Sequence, residues 1–223
     1  MTSAFKPLRV DITIKNGSPI REPKHLIHLD ALLAYVAVQR SMADGAEDFS
    51  AQERLPLDTL THEDASHPVW AASALFYQPH LKELRYWSRK TNLGAIAKAQ
   101  EDGVLKTRAS KITTGSGPWK AYSEFEPLIH VRNLTAWCVG DKETICDWLS
   151  EINFIGKRRS RGYGEVSNIE VSEDEMAYDK VKCRALTWQE DERYVPMICG
   201  TKPPYFERRP GFYPLSSVFA NEA

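Results

Sequence analysis

No stretch of this sequence approaches the roughly 20 apolar residues that a membrane helix requires, and Met1 to Lys15 lacks the apolar segment of an export signal. A cytoplasmic protein with no membrane partner is expected. The four cysteines, Cys138, Cys146, Cys183 and Cys199, form no Cys-x-x-Cys pair, which argues against a zinc knuckle or a disulfide framework and leaves buried free thiols. His25, His62, His67, His80 and His130 make no His-x-x-x-His spacing, so neither a metal nor any other cofactor is expected. A Gly-x-Ser-x-Gly elbow is missing, as is a cysteine paired with a nearby histidine. The common nucleophile signatures are therefore absent.

Net charge is also lacking, at -1 over 223 residues, but the charge is unevenly placed. Met42 to Asp64 carries Asp44, Glu47, Asp48, Glu53, Asp58, Glu63 and Asp64 against Arg54 alone. From Lys82 to Lys120 basic residues dominate, with only Glu83, Glu101 and Asp102 opposing them. Such a layout lets local patches attract a polyanion while the chain stays near neutral.

Leu8, Val10, Ile12 and Ile14 alternate with polar residues, which predicts a half-buried strand. After Gly17-Ser18-Pro19, Leu29, Leu32, Leu33 and Val36 fall at helical spacing within His28 to Ser41. Residues 42–68 show no period and are expected to form a surface insertion. Val69 to Gln78 reads as a second strand. A second insertion, 79–127, holds a short helix near Ala95 to Gln100 and, between Val104 and Phe125, a hairpin signal around Thr113 to Pro118. Leu128 to Val139 is expected as a third core strand. Asp141 is placed to cap a helix bearing Ile145, Trp148, Leu149 and Ile152, and Glu165 to Val171 completes the set. The order strand, helix, strand, insertion, strand, helix, strand predicts an α+β, ferredoxin-like (βαββαβ) domain over 1–177. Its extended C-terminal tail, 178–223, is rich in proline and aromatics and is expected to pack on the domain or on a neighbour.

The segment joining the second helix to the last strand carries the chemistry. Gly156, Gly162 and Gly164 permit backbone angles closed to other residues and let N–H groups approach an anion. Lys157, Arg158, Arg159 and Arg161 add charge, the guanidinium forks suiting bidentate phosphate contacts, while Ser160 adds a hydroxyl and Tyr163 either stacks on a base or anchors the loop. The loop is neither a Walker A nor a dinucleotide motif, because it follows a helix and precedes a strand.

This loop resembles the glycine-rich loop of the RAMP superfamily of CRISPR-associated proteins. His28-Leu29-Asp30-Ala31-Leu32-Leu33-Ala34-Tyr35 is similar to the start of their first helix, and Gly200-Thr201-Lys202-Pro203-Pro204-Tyr205-Phe206 resembles the small backbone subunit of type IV effector complexes. The resemblance implies an RRM-like domain with a β-hairpin thumb, to which Lys106, Arg108, Lys111, Trp119 and Lys120 correspond by location and composition. It implies a non-catalytic subunit that holds the 5′ handle of the guide RNA (crRNA) and contacts adjacent backbone and large subunits. Target DNA near the guide start is a further candidate contact. Some relatives cut precursor RNA without metal, so a guide-RNA-processing endoribonuclease is the alternative, with His28 as the residue positioned to face RNA. A module that binds an acidic protein through its basic patch is a third reading.

Overall fold

The computed structural model describes residues 5–45, 49–104, 115–116 and 120–219. It is a mixed α/β structure with antiparallel sheets, and the chain divides into two compact units, one formed by residues up to 81 and from 129 onward, the other by 82–128.

In the first unit, β1 (Lys6–Ile14) buries Leu8, Val10, Ile12 and Ile14, as the alternation predicts. A short β2 (Ile20–Arg21) follows, and then α1 (Leu29–Ala43). Residues 42–68 depart from the expected loop. They complete α1, make a 3-10 turn at Phe49–Glu53, bury Leu55 and Leu57 in the main core, and form β3 (Thr59–Leu60), which pairs with β4 (Val69–Trp70). Two isolated leucines around a proline have no period, so sequence patterning passes over them.

The strand expected over Val69 to Gln78 is broken after Trp70. Ala71 to Phe76 instead lies along the later strand 133–140 through single bridges, with Ser73 N–H donating to the Trp137 carbonyl at 2.8 Å and Phe76 N–H to that of Thr135 at 2.7 Å. The cause is local. The Arg184 guanidinium donates to the carbonyls of Trp70 and Ala72 at 2.7 and 2.8 Å, and Ser73 Oγ accepts from Trp137 N–H at 2.9 Å, so side chains replace ladder bonds.

The second unit contains most of β5 (Leu81–Arg89), α2 (Leu93–Glu101) and most of β6 (Tyr122–His130). β5 and β6 are neighbours in one sheet, with Tyr86 and Phe125 packed at 5.2 Å between ring centroids. The hairpin expected between Val104 and Phe125 falls largely on residues 105–114 and 117–119, outside the described residues. Asn92 caps α2 by accepting from Ala95 N–H at 3.1 Å.

The expected third strand, Leu128 to Val139, turns at Val131 and Arg132 and continues as β7 (Asn133–Gly140). No glycine or proline marks that turn. β7 pairs with β1 from Lys6 opposite Gly140 to Thr13 opposite Asn133. Next comes α3 (Lys142–Leu149), capped by Asp141, which accepts from Glu143 N–H at 3.2 Å and Thr144 Oγ1 at 2.8 Å. β8 (Val166–Glu173) pairs with the other edge of β1, giving the order β7, β1, β8. Leu8, Val10 and Ile12 join Leu29 and Leu33 of α1 and Ile145 and Leu149 of α3 in one core. Each buried aliphatic side chain there contributes about 1.5–3 kcal/mol.

After α4 (Ala177–Lys180), the tail belongs to this unit. It buries Leu186, Trp188 and Tyr194 against Val69 and forms an antiparallel hairpin of β9 (Tyr194–Cys199) and β10 (Arg209–Pro214). No helix among the described residues is long and apolar enough to cross a membrane.

Candidate nucleic-acid interface

The glycine-rich segment is a closed loop. Ile155 N–H donates to the Gly164 carbonyl at 2.8 Å and Phe154 bridges to Glu165, so both ends of the loop meet at its base. A second tie comes from the turn after β1. Ser18 Oγ donates to the Gly162 carbonyl at 2.8 Å and accepts from Glu165 N–H at 2.9 Å, while Gly164 N–H donates to the Pro19 carbonyl at 2.8 Å. Lys15 clamps the same end through an ion pair with Glu165 at 2.6 Å.

The glycines have distinct tasks. Gly164 has a φ of +69°, and a Cβ on it would sit 1.9 Å from the Ile155 carbonyl oxygen, on the same residue whose N–H closes the loop. Gly156, at φ +88°, would meet only the Ile20 side chain at 3.2 Å, and the space around Gly162 is open. Arg158 is the exception to the chemistry of small residues, because it holds a left-handed φ of 67° with a full side chain. That conformation costs about 1 kcal/mol for an L residue and marks a backbone held by its surroundings.

Between these points Arg159–Arg161 makes one 3-10 turn. Lys157, Arg159, Ser160 and Gly162 are exposed, and Arg158 and Arg161 are half-buried. The Arg159 guanidinium lies 4.8 Å from the centre of the Tyr35 ring on α1. Tyr163 is only 2% exposed, so of its two expected roles the structure assigns anchoring. The result is a rigid turn that presents cations outward and uses its aromatic ring as the root.

His28 sits elsewhere. It is 3% exposed, stacks on Tyr205 at 4.6 Å between ring centroids, and its Nε2 accepts from Ala185 N–H at 3.4 Å. The expectation that it faces RNA is corrected by this burial: α1 begins inside the tail. Burial, with Arg184 adding to it, pushes its imidazole well below the ordinary histidine pKa. Beside it, Arg184 and Asp30 form an ion pair at 3.0 Å with neither side chain exposed. The same guanidinium donates to the Thr201 carbonyl at 2.6 Å and Tyr205 Oη at 2.8 Å, and Tyr205 Oη donates to Asp30 at 2.7 Å. Burial opposes the guanidinium charge, but Asp30 and Tyr205 hold it firmly protonated. Arg184 has no signal in the sequence beyond its type. His28 to Tyr35 and Gly200 to Phe206, the two stretches quoted for the resemblance, meet around it.

Among the described residues no group of three or more His, Cys, Asp or Glu is placed to hold a metal. Of the hairpin residues, Lys120 is exposed, while Lys106, Arg108, Lys111 and Trp119 lie outside the described residues.

Compared with known families, the chain matches CRISPR type IV associated protein Csf3 over residues 6–212. The chain belongs to the Csf3 family. The resemblance carried by the loop, the start of α1 and the Gly200 to Phe206 stretch therefore holds. No curated protein matches the chain. Among solved structures, one chain of a complex described as type III-B Cmr-beta bound to cognate target RNA is similar at 13% identity. The likeness covers 76% of this chain and 61% of that one, with a TM-score of 0.40.

Beyond its membership, what a Csf3-family chain can do here is set by charge and geometry. The loop sets four cations, Lys157, Arg158, Arg159 and Arg161, on a turn tied at its base to Ser18, Pro19 and Ile155.

Proposed function

We propose that the chain is a non-catalytic RNA-binding subunit of a type IV CRISPR effector complex, gripping the phosphate backbone of the guide-RNA 5′ handle with Gly156–Gly164. The observation that carries this reading is the closed loop itself. Its backbone is fixed by Ser18, Pro19 and Gly164, and its exposed side carries Lys157 and Arg159 with Arg158 and Arg161 beside them. A turn whose backbone is already tied down loses little main-chain freedom on meeting a phosphate, so more of each contact survives as affinity.

A ferredoxin-like, RRM-like fold is part of the proposal. It is supported by the sheet order of 71–76, β7, β1 and β8, with α1 and α3 sharing one core against β1. Adjacent backbone and large subunits are the expected protein partners, and target DNA near the guide start a further one. Burial of His28 against Tyr205 favours the binding role over a metal-independent endoribonuclease.

Replacing Arg158, Arg159 and Arg161 together by Ala should release RNA from the purified complex. The slope of log affinity against log salt should flatten by about 0.7 per lost phosphate contact with a single strand. RNA retention equal to that of the parent complex would refute the reading. Incubation with repeat RNA in EDTA separates the alternative: specific cleavage would establish a nuclease.

A further inference from the structure

Against the inner side of the glycine-rich loop lies a cavity of about 340 Å³, walled by Tyr35, Phe154 and Arg159 and rimmed by Glu151, Asn153 and Glu165. We propose that this cavity takes one unstacked nucleobase carrying an exocyclic amino group, from the same RNA whose phosphates lie on the loop. The inference rests on the RNA-binding reading above and adds base selection to it.

Three observations converge. The first is aromatic surface: Tyr35 is 40% exposed although it lies on a helix packed into the core, and Phe154 is half-buried beside it. Exposed rings next to a basic turn suit base stacking, with Arg159 over Tyr35 adding a cationic plane. The second is the sign of the charge. Lys157, Arg158, Arg159 and Arg161 form the turn, whereas the cavity rim carries the carboxylates of Glu151 and Glu165. The rim carboxylates already have cationic partners in Arg40 and Lys15, so a phosphate is drawn to the turn and not to the rim, and a nucleotide is oriented with its base inward.

The third is hydrogen-bond polarity. Glu151 accepts from Arg40 at 2.8 Å and Glu165 from Lys15 at 2.6 Å, which fixes both side chains in place while leaving lone pairs over. Asn153 donates its amide nitrogen to the Glu151 carbonyl at 3.1 Å, which leaves its side-chain oxygen as an acceptor. The rim is thus rich in acceptors. Adenine, cytosine and guanine each bring an amino group to such a rim. Uracil brings two carbonyls flanking one N–H and is disfavoured.

The test is selection of a random-sequence single-stranded RNA 12-mer library by the full chain, with sequencing of the bound fraction. Uracil should be depleted about tenfold at one position, as expected for loss of a good base contact. Y35L and N153A should each weaken that depletion while retaining the parent melting temperature. Equal recovery of all four bases at every position overturns the proposal, as does a uracil bias unchanged in both variants. The R158A/R159A/R161A variant separates the two readings. If it binds the library as well as the parent does, the loop reading fails and takes this inference with it. If it loses binding while the base bias ignores Y35L and N153A, the cavity assignment alone falls.

Discussion

At Gly164 the backbone of the loop and the backbone of its own base are too close for any side chain. Gly164→Ala places a carbon 1.9 Å from the Ile155 carbonyl oxygen at a φ of +69°, so the Ile155–Gly164 bond must open. Strain and the lost bond together should cost about 2–4 kcal/mol. Thermal melting should fall by several degrees, and RNA affinity should fall with it even though no cation is removed. Gly162→Ala meets open space and carries only the φ penalty, so it should be the milder change. His28 supplies a pH dependence. In the unfolded chain its imidazole takes up a proton near pH 6.5, whereas burial in the fold keeps it neutral to lower pH. Its contribution is therefore complete above about pH 6.5 and is lost as pH falls toward the folded value, at up to about 1.4 kcal/mol per pH unit. Urea midpoints at pH 7.5 and 5.5 should differ more for the parent than for His28→Gln. Equal differences would mean that the ring is protonated inside the fold.

Elements differ in how far they can be read from residues alone. β1, α1 and α3 were legible because each buries one face at a regular period: Leu8, Val10 and Ile12, then Leu29, Leu33 and Val36, then Ile145 and Leu149. The Asp141 cap was legible because its side chain acts on the next three residues. Asp141→Ala should cost about 1 kcal/mol and loosen the first turn of α3, visible as faster amide exchange at Glu143 and Thr144. The broken strand at 71–76 was not legible. Its ladder is cut by a guanidinium from a residue more than 100 positions later in the chain, and no local pattern carries that information. Likewise, the loop's cations were readable from type and spacing, but its ties to Ser18 and Pro19 and its stacking on Tyr35 were not. Those depend on which turn and which helix the fold brings alongside.

At the scale of the whole molecule, the tail builds a second apolar cluster with Val69 and is tied to the start of α1 by one side chain. Arg184 joins the start of α1, the edge segment 70–72 and the Thr201–Tyr205 stretch through one guanidinium. A chain ended after Tyr178 leaves the Asp30 carboxylate buried without its cation. Breaking such a pair costs about 3–5 kcal/mol, against a total stability of roughly 5–15 kcal/mol for a domain. Loss of Trp188 and Tyr194 adds to that cost. The shortened chain should show no cooperative melting transition by circular dichroism, whereas Arg184→Met in the full chain should melt cooperatively at a lower temperature.

The order in which residues leave the ribosome gives this knot a biological edge. Asp30, Trp70 and Ala72 emerge early and must wait for Arg184 before their polar groups are satisfied. A nascent chain stalled before that codon would expose an unfinished interior, with those polar groups still unpaired.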